Sequence, residues 1–373
     1  MSRWGYFIKR LLLTIPVLFL VLTFLFALLR LGPLDPVAAR LGPEADGADA
    51  ELMRERLGLN DPLWEQYIDF ITGYLTLDLG QSWVVQAERP VLDIVASSGP
   101  ITLWLGFWAI LLPLFIGIPL GFYAGLNPNT KGDYFASASG ILWLAMPNFW
   151  LCAIALALLR RTRDGVDIPL GIPYYWDGFS VLSFYTFEFN WYTLGPEVGS
   201  IIQTPSLDFF SVGWTEIIWF IHSPVAIDWG ALAVDIKLIL PPALILGSAS
   251  MAAELRIGRT AMLETVNSNF VETAKAKGLK GRTIIWKHVF RNSLIPLIPV
   301  ISNEAFLLIG GSVIVETIFE INGLGRIFFR AITSGDMPLA GALLFIFTLI
   351  ILFLNILQDL LFTIVDPRVG YEQ

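Results

Sequence analysis

Residues 272–299 read ETAKAKGLKGRTIIWKHVFRNSLIPLIP, and this stretch decides how the remainder of the chain is arranged. It carries six lysine and arginine residues, although only 15% of the whole chain is charged. Gly278 and Gly281 interrupt it, and apolar runs adjoin it on either side. Loops on the cytoplasmic side of a membrane are enriched in lysine and arginine. The stretch is therefore expected to be a cytoplasmic loop between two membrane helices.

The composition points to lipid as the solvent for most of the chain. Of 373 residues, 55% are apolar and only 15% are charged, whereas soluble domains carry about 25% charged residues. A membrane-crossing helix needs about 20 apolar residues. Six runs are expected to cross the membrane, namely residues 11–31, 101–126, 134–159, 231–255, 294–319 and 339–363. The predicted fold is an all-α polytopic membrane protein, although the fourth run contains Asp235, Lys237 and Pro241–Pro242, which only packed or water-lined helices tolerate.

The distribution of charge predicts the orientation. Arg3, Lys9 and Arg10 precede a first run that is too long for a signal peptide, so we interpret it as a retained helix. Residues 32–100 contain twelve acidic and four basic residues, which suits an outer loop. Six crossings then place both termini in the cytoplasm. The basic residues at 160, 161 and 163 disagree with this orientation but are outweighed by the rest of the chain.

Several classes of function are disfavoured by the residues present. The single cysteine, Cys152, excludes an intrachain disulfide, and two histidines argue against a histidine-rich metal site. Neither H-E-x-x-H nor the phosphate-binding pattern G-x-x-x-x-G-K-[ST] occurs. We therefore expect no catalytic residues, no metal and no cofactor. The net charge of −8 lies mostly outside, which disfavours nucleic acid as a partner and leaves adaptation to high salt as an alternative explanation.

Two outer segments have distinct patterns. In the first, Asp61 and Pro62 suit a helix start, and Leu63, Tyr67 and Phe70 begin an apolar face. This helix is predicted to be either a lid on the bundle or a docking surface for an outer partner. The second segment, residues 160–230, is rich in aromatic residues and predicts a compact outer subdomain or a binding groove. Within it, residues 209–221 are too short to span a membrane and suit an interfacial helix.

The opening stretch is predicted to form a helix-turn-helix. Met262, Val266, Phe270 and Ala274 recur every four residues, which predicts one helix over 259–277 with a single packing face. Gly278 suits the left-handed residue that ends a helix. A second helix is predicted from the pairs Ile285 with Val289 and Trp286 with Phe290. Such an element is either a lever contacted by another protein or a basic loop touching anionic lipid.

The pattern of the stretch resembles the EAA loop of binding-protein-dependent ABC importer permeases. Glu272, Thr273, Ala274 and Gly278 have the spacing of that loop, with Thr273 and the ending as departures. Lys277-Gly278-Leu279 and residues 288–296 are similar to the dipeptide/oligopeptide/nickel branch. Further similar segments are FIKRLLLTIPVLFLV (7–21), GLNDPLWEQY (58–67), DLGQSW (78–83), GGSVIVETIFEINGLGR (310–326) and DPRVGY (366–371). Segment 160–235 has no such likeness.

The resemblance implies a fold, an activity and a set of partners. The fold is the type I importer permease, with a first helix and outer loop (1–98), a core (99–363) containing the added insert 160–230 and a coupling loop (256–293), and a tail (364–373). The activity is ATP-driven import of peptides, or alternatively of nickel chelates or oligosaccharides, across the cell membrane. The partners are a second homologous permease, two cytoplasmic ATP-binding subunits and an extracellular substrate-binding protein. The residues expected to couple to the ATPase are Glu272, Thr273, Ala274, Lys277, Gly278 and Leu279.

Polar residues within the predicted spans are expected to line the translocation path, because burying them in lipid is costly. Asn148, Asn303 and Glu304 meet this criterion, although Glu304 could equally bond to a neighbouring helix or to the partner permease. Glu316 lies near the outer end of its run and could simply reach water. A stand-alone secondary transporter is the alternative from another class, but it would require inverted repeats, and the sequence contains no convincing repeat.

Overall fold

The computed structural model describes residues 3–31, 37, 48–56, 58–163, 202–203, 226–227, 229–301 and 312–365. Helices dominate these residues. In chain order they are α1 (Arg3–Leu31), α2 (Ala48–Arg56), α3 (Leu63–Leu75), α4 (Val91–Leu126), α5 (Lys131–Ala145), α6 (Asn148–Arg163), α7 (Trp229–Val266), α8 (Asn269–Ala276), α9 (281–297), α10 (Ser312–Phe319), α11 (Leu324–Ser334) and α12 (Met337–Val365). The helix α4 passes through a π-helical turn at Pro113–Gly117.

One feature departs from the all-α prediction. Two short strands, β1 (Ile202–Gln203) and β2 (Ala226–Ile227), pair antiparallel with Ile202 opposite Ile227. Both belong to the predicted insert 160–230. The predicted interfacial helix at 209–221 lies outside the described residues, as does the tail segment 366–371.

The predicted spans are confirmed in part. Among the described residues, three helices are long and apolar enough to cross a membrane, with spans at Leu11–Arg30, Val91–Leu126 and Met337–Leu360. A fourth is added if the helices α5 and α6, which meet at 92°, count as one broken span. The fourth predicted run is helical throughout, and α7 continues through Pro241 and Pro242. The fifth predicted run, 294–319, lies partly outside the described residues.

The helices α4 and α7 approach so closely that their backbones touch. A Cβ on Gly117 would lie 2.9 Å from the carbonyl oxygen of Met251, and one on Gly125 would lie 2.6 Å from that of Arg259. Between them, Gly121 abuts the carbonyl oxygen of Leu255. Glycines four residues apart place backbone against backbone, the device used by membrane helices that pack without a hydrophobic driving force. Because the paired residue numbers rise together, α4 and α7 run parallel.

The third predicted span is a bent pair of helices rather than one straight helix. The helix α5 ends at Ala145, α6 begins at Asn148, and Pro147 between them cannot donate a backbone hydrogen bond. The first turn of α5 pairs Asp133 with Arg259, whereas Cys152 on α6 belongs to a buried cluster that includes Ala243. Arg259 and Ala243 lie about 24 Å apart along α7 at 1.5 Å per residue. The bent pair therefore rises along most of that helix.

The helix α3 packs against the bundle through one face, as the lid interpretation predicts. The hydroxyl groups of Tyr67 and Thr23 lie 2.8 Å apart, and the ring of Tyr74 lies 5.0 Å from that of Phe345 on α12. The helix begins at Leu63, with Pro62 rather than Asp61 at the N-cap position. Leu63 itself is exposed, which corrects its assignment to the packed face.

Two buried carboxylates, Asp336 and Glu316, bind backbone N–H groups where α12 and α11 begin. Asp336 is fully buried and accepts hydrogen bonds from Ser82 Oγ and from the N–H groups of Trp83, Val84, Val85 and Leu339. Glu316 is also fully buried, so the expectation that it reaches water is wrong. Its carboxylate accepts from Thr102 Oγ1 at 2.9 Å and from the N–H of Arg326 at 2.8 Å, which caps the first turn of α11. A Cβ on Gly323 would lie 2.5 Å from the Glu316 carboxyl carbon, so this cap requires glycine.

The close approach of α4 and α7 predicts that Gly121→Ala destabilises the protein. Overpacking of this kind costs about 1–3 kcal/mol of unfolding free energy, because two backbones must separate. Gly140→Ala is the matched control, since a Cβ there would make ordinary contacts with the Leu255 side chain, at 3.6 Å, and the Ala252 carbonyl oxygen, at 3.8 Å. We expect thermal unfolding in detergent to shift downward for Gly121→Ala alone. Equal unfolding temperatures for the two variants would contradict the packing described.

Candidate functional site

The helix α7, which leads towards the basic stretch 272–299, ends at a break that the sequence did not predict. The helix α7 ends at Val266, and α8 begins at Asn269, so residues 259–277 are two helices rather than one. Asn267 and Ser268 cause the break, because their side chains bond to backbone carbonyls of the preceding turn. Asn267 Nδ2 donates to the carbonyl of Leu263 at 2.9 Å, and Ser268 Oγ donates to that of Thr265 at 2.6 Å. Phe270 consequently leaves the predicted packing face and is 43% exposed.

The end of α8 forms the turn that Gly278 predicts. Gly278 has φ +74°, in the left-handed region. Its N–H donates to the carbonyl of Lys275 at 2.9 Å, and the N–H of Leu279 donates to that of Ala274 at 3.2 Å. These two bonds constitute a Schellman motif, which closes a helix and reverses the chain. The prediction for Gly278 is confirmed.

One face of α8 is buried against the membrane helices. Val271 and Ala274 are buried in a cluster with Ile118 and Phe122 of α4 and Met262 of α7. Ala274 therefore points inward, on the packing face that the four-residue repeat predicts. Ala276 is exposed. The burial of α8 on α4 and α7 joins the cytoplasmic stretch to the second and fourth predicted spans.

The second predicted helix is confirmed, but its spacing differs. The helix α9 contains a π-helical segment, Ile284–Val289, in which the N–H of Phe290 bonds to the carbonyl of Ile285. Ile284 and Val289 are buried five residues apart, whereas the prediction paired Ile285 with Val289. The ring of Trp286 lies 5.3 Å from that of Phe290, as the other predicted pair requires. Ser293 Oγ donates to the carbonyl of Ala261 at 3.3 Å and ties α9 to α7.

The opposite face of the stretch presents apolar side chains among basic ones. Phe270, Leu279 and Trp286 are 43%, 41% and 62% exposed. Six basic side chains of the same stretch are all exposed, namely Lys275, Lys277, Lys280, Arg282, Lys287 and Arg291. Glu272 and Thr273 are exposed as well. Exposed large apolar side chains with a charged surround are typical of protein-binding surfaces.

The translocation-path predictions are tested unevenly. Asn148 is partly exposed and is the first residue of α6, at the bend after Pro147 rather than in the middle of a span. Asn303 and Glu304 lie outside the described residues. The sequence reasoning overlooked Glu254, which is fully buried within α7. The sequence could have indicated it, because Glu254 is a charged residue within the predicted span 231–255, one residue before its end.

Comparison with known proteins identifies the family. Residues 117–371 match the family described as "Binding-protein-dependent transport system inner membrane component", and residues 3–106 match the corresponding N-terminal component. The chain belongs to this permease family. The permease is 31% identical to the oligopeptide transport system permease protein AppB of Bacillus subtilis over 98% of its own length and 99% of that protein's. It is 29% identical to the dipeptide transport system permease protein DppB of Alkalihalophilus pseudofirmus, covering 98% and 99%.

A third relative is the glutathione transport system permease protein GsiC of Escherichia coli, at 28% identity over 99% of both chains. These matches confirm the resemblance drawn from the EAA-like loop. The permease is thus a membrane translocation subunit of an ABC importer rather than an enzyme, and separate subunits hydrolyse the ATP. The membrane family and the apolar helices also agree with the expected multi-pass membrane location.

The inward direction of Ala274 predicts different effects at the two alanines of α8. Ala274→Leu is expected to lower the free energy of unfolding by about 1–3 kcal/mol, because the added carbons enter a packed cluster. Ala276→Leu is the control and is expected to leave it within about 0.5 kcal/mol. Thermal unfolding of both variants in detergent measures the difference. A destabilised Ala276→Leu beside a normal Ala274→Leu would show that α8 is turned the other way.

Proposed function

We propose that the permease imports peptides by transmitting movements of partner ATPases through α8 and the turn at Gly278. In this proposal the residues that couple to the ATPase are Glu272, Thr273, Lys277 and Leu279 on the exposed face, while Ala274 and Gly278 shape the element from within. The observation that carries the proposal is the two-sided character of the stretch. One side is buried on α4 and α7, and the other exposes Phe270, Leu279 and Trp286.

The proposed coupling follows from how the stretch is built. Only Asn267 and Ser268 separate α7 from α8, so a force applied to α8 reaches α7 over a short connection. The same force reaches α4 through the contacts of Val271 and Ala274 with Ile118 and Phe122. The Schellman turn keeps α8 and α9 at a fixed angle. A subunit that grips the exposed side can therefore move at least two membrane helices together.

The proposed assembly contains a second homologous permease, two ATP-binding subunits in the cytoplasm and an extracellular substrate-binding protein. We place this chain in the cell membrane with six transmembrane helices, both termini in the cytoplasm and the aromatic-rich insert 160–230 outside. Asn148, Asn303 and Glu304 are proposed to line the path. Peptide is the proposed substrate because the relatives are named for oligopeptide, dipeptide and glutathione transport.

The proposed orientation predicts which introduced cysteines react from outside the cell. Ile68→Cys on α3 and Lys275→Cys on α8 are exposed positions on opposite sides. In a Cys152→Ala background, a membrane-impermeant maleimide added to intact cells is expected to label only Ile68→Cys. The unsubstituted chain is a control, since Cys152 is fully buried. Labelling of Lys275→Cys in intact cells, with Ile68→Cys protected until lysis, would reverse the orientation.

The proposed function predicts ATP-dependent peptide uptake by the complete complex in proteoliposomes. Phe270→Ala and Leu279→Ala are expected to reduce peptide uptake per ATP hydrolysed by about fivefold or more, because they remove exposed apolar contacts at the interface. Leu75→Ala, an exposed leucine on the outer helix α3, is the control and is expected to have no effect. Uptake by the chain alone, without ATP-binding subunits, would instead identify a secondary transporter.

The same assay decides the substrate class. Uptake of nickel chelates or oligosaccharides in place of peptides would show that the chain is part of an ATP-driven importer with a different substrate. Small molecules retained by the isolated substrate-binding protein give an independent readout.

A further inference from the structure

The ion pair between α5 and α7 has a geometry that distinguishes it from its surroundings. Arg259 Nε lies 2.5 Å from Asp133 Oδ1, and Arg259 Nη2 lies 2.8 Å from Oδ2, so the guanidinium grips the carboxylate through two bonds. The Asp133 side chain is 2% exposed and that of Arg259 is 29% exposed. A two-bond arginine–carboxylate contact fixes direction as well as distance.

Asp133 also fastens the chain that enters α5. Its Oδ2 accepts from the N–H of Asn129 at 2.9 Å, and its Oδ1 accepts from Ser137 Oγ at 3.3 Å. The hydroxyl of Thr130 caps α5 by accepting from the Asp133 N–H at 3.3 Å. The carboxylate thus connects the turn before α5, the first turns of α5 and Arg259 on α7. Displacement of Arg259 is transmitted to all of them.

Elsewhere in the described contact between α5 and α7, small residues of α5 meet α7 at ordinary van der Waals distance. Ala136 faces the cluster around Leu255, and a Cβ on Gly140 would meet the Leu255 side chain only at 3.6 Å. By contrast, α4 and α7 interlock at Gly121 and Gly125, where no Cβ fits. Two helices that meet through small residues at ordinary distance can shift along one another. Among the described contacts between α5 and α7, the Asp133–Arg259 ion pair is the one that fixes a direction as well as a distance.

We propose that Asp133 and Arg259 are positioning residues that make the bent helices α5 and α6 follow α7 when the coupling helix α8 moves. This inference rests on the proposed function. Arg259 lies two turns before the end of α7, and α8 begins three residues after that end. A movement of α8 therefore reaches Arg259 directly. Without the pair, α7 would slide past α5, and the movement would not reach the bend at 146–147.

The test uses the complete complex in proteoliposomes and measures ATP hydrolysis and peptide uptake separately. Asp133→Asn and Arg259→Gln are expected to keep ATP hydrolysis within about twofold and to lower uptake per ATP by about tenfold. Arg259→Lys keeps the charge but lacks the two-bond contact, so its uptake per ATP is expected to lie between that of Arg259→Gln and that of the unsubstituted complex. Ser139→Ala is the control on the same helix, because that hydroxyl bonds only within α5, to Ala136.

A distance measurement separates positioning from folding. With Cys152→Ala, nitroxide labels at Ile154 on α6 and Lys275 on α8 report their separation by electron spin resonance. We expect this separation to stay constant with ATP in the otherwise unsubstituted complex, because α6 follows α8, and to change with ATP in Asp133→Asn. Unchanged uptake per ATP in Asp133→Asn and Arg259→Gln, or a separation that stays constant with ATP in Asp133→Asn, would overturn this inference alone. Absence of ATP-driven uptake in the unsubstituted complex would overturn the proposed function and this inference with it.

Discussion

The backbone contact between α4 and α7 is the constraint on which the other contacts depend. Lipid offers no hydrophobic driving force between helices, so close van der Waals contact has to hold them together. Gly117, Gly121 and Gly125 provide it, because α4 places no side chain between the two backbones at these three positions. The ends of this pair near Gly125 then supply Ile118, Phe122 and Met262, on which the basic stretch is built. The opposite part of α4 meets the polar network around Glu316 through Thr102.

Apolar contacts hold the helices together along their middle parts, and polar contacts hold them at their ends. In the middle, small residues let the helices approach. At one end of the bundle, Asp336 and Glu316 bind backbone N–H groups at the starts of α12 and α11, where helices have donors without internal partners. At the end that carries the basic stretch, the Asp133–Arg259 pair joins α5 to α7. Each carboxylate is buried yet fully engaged, which is the condition for burying a charge at tolerable cost.

The sequence predicted the parts of the candidate site that depend on local rules. Gly278 ends α8 because a left-handed residue is needed there, and glycine adopts that conformation without strain. Periodicity was less reliable at residues 259–277. A repeat of four fits one long helix as well as two helices with a tight break, and the side-chain bonds of Asn267 and Ser268 decide between them. Phe270 thereby leaves the packing face that the repeat predicts, whereas Ala274 stays on it.

Composition alone indicated that this chain is a membrane protein, and the lysine and arginine residues of 272–299 predicted a cytoplasmic loop, because hydrophobicity and the inside bias of lysine and arginine are properties summed over segments. The EAA-like spacing also sufficed to indicate the family, which the comparisons confirm. Only the tertiary structure decided which face of α8 is free, that the third run bends by 92°, and that Asp133 meets Arg259. These features join residues far apart in the chain. No local pattern records such a pairing, because it depends on how the helices approach in space.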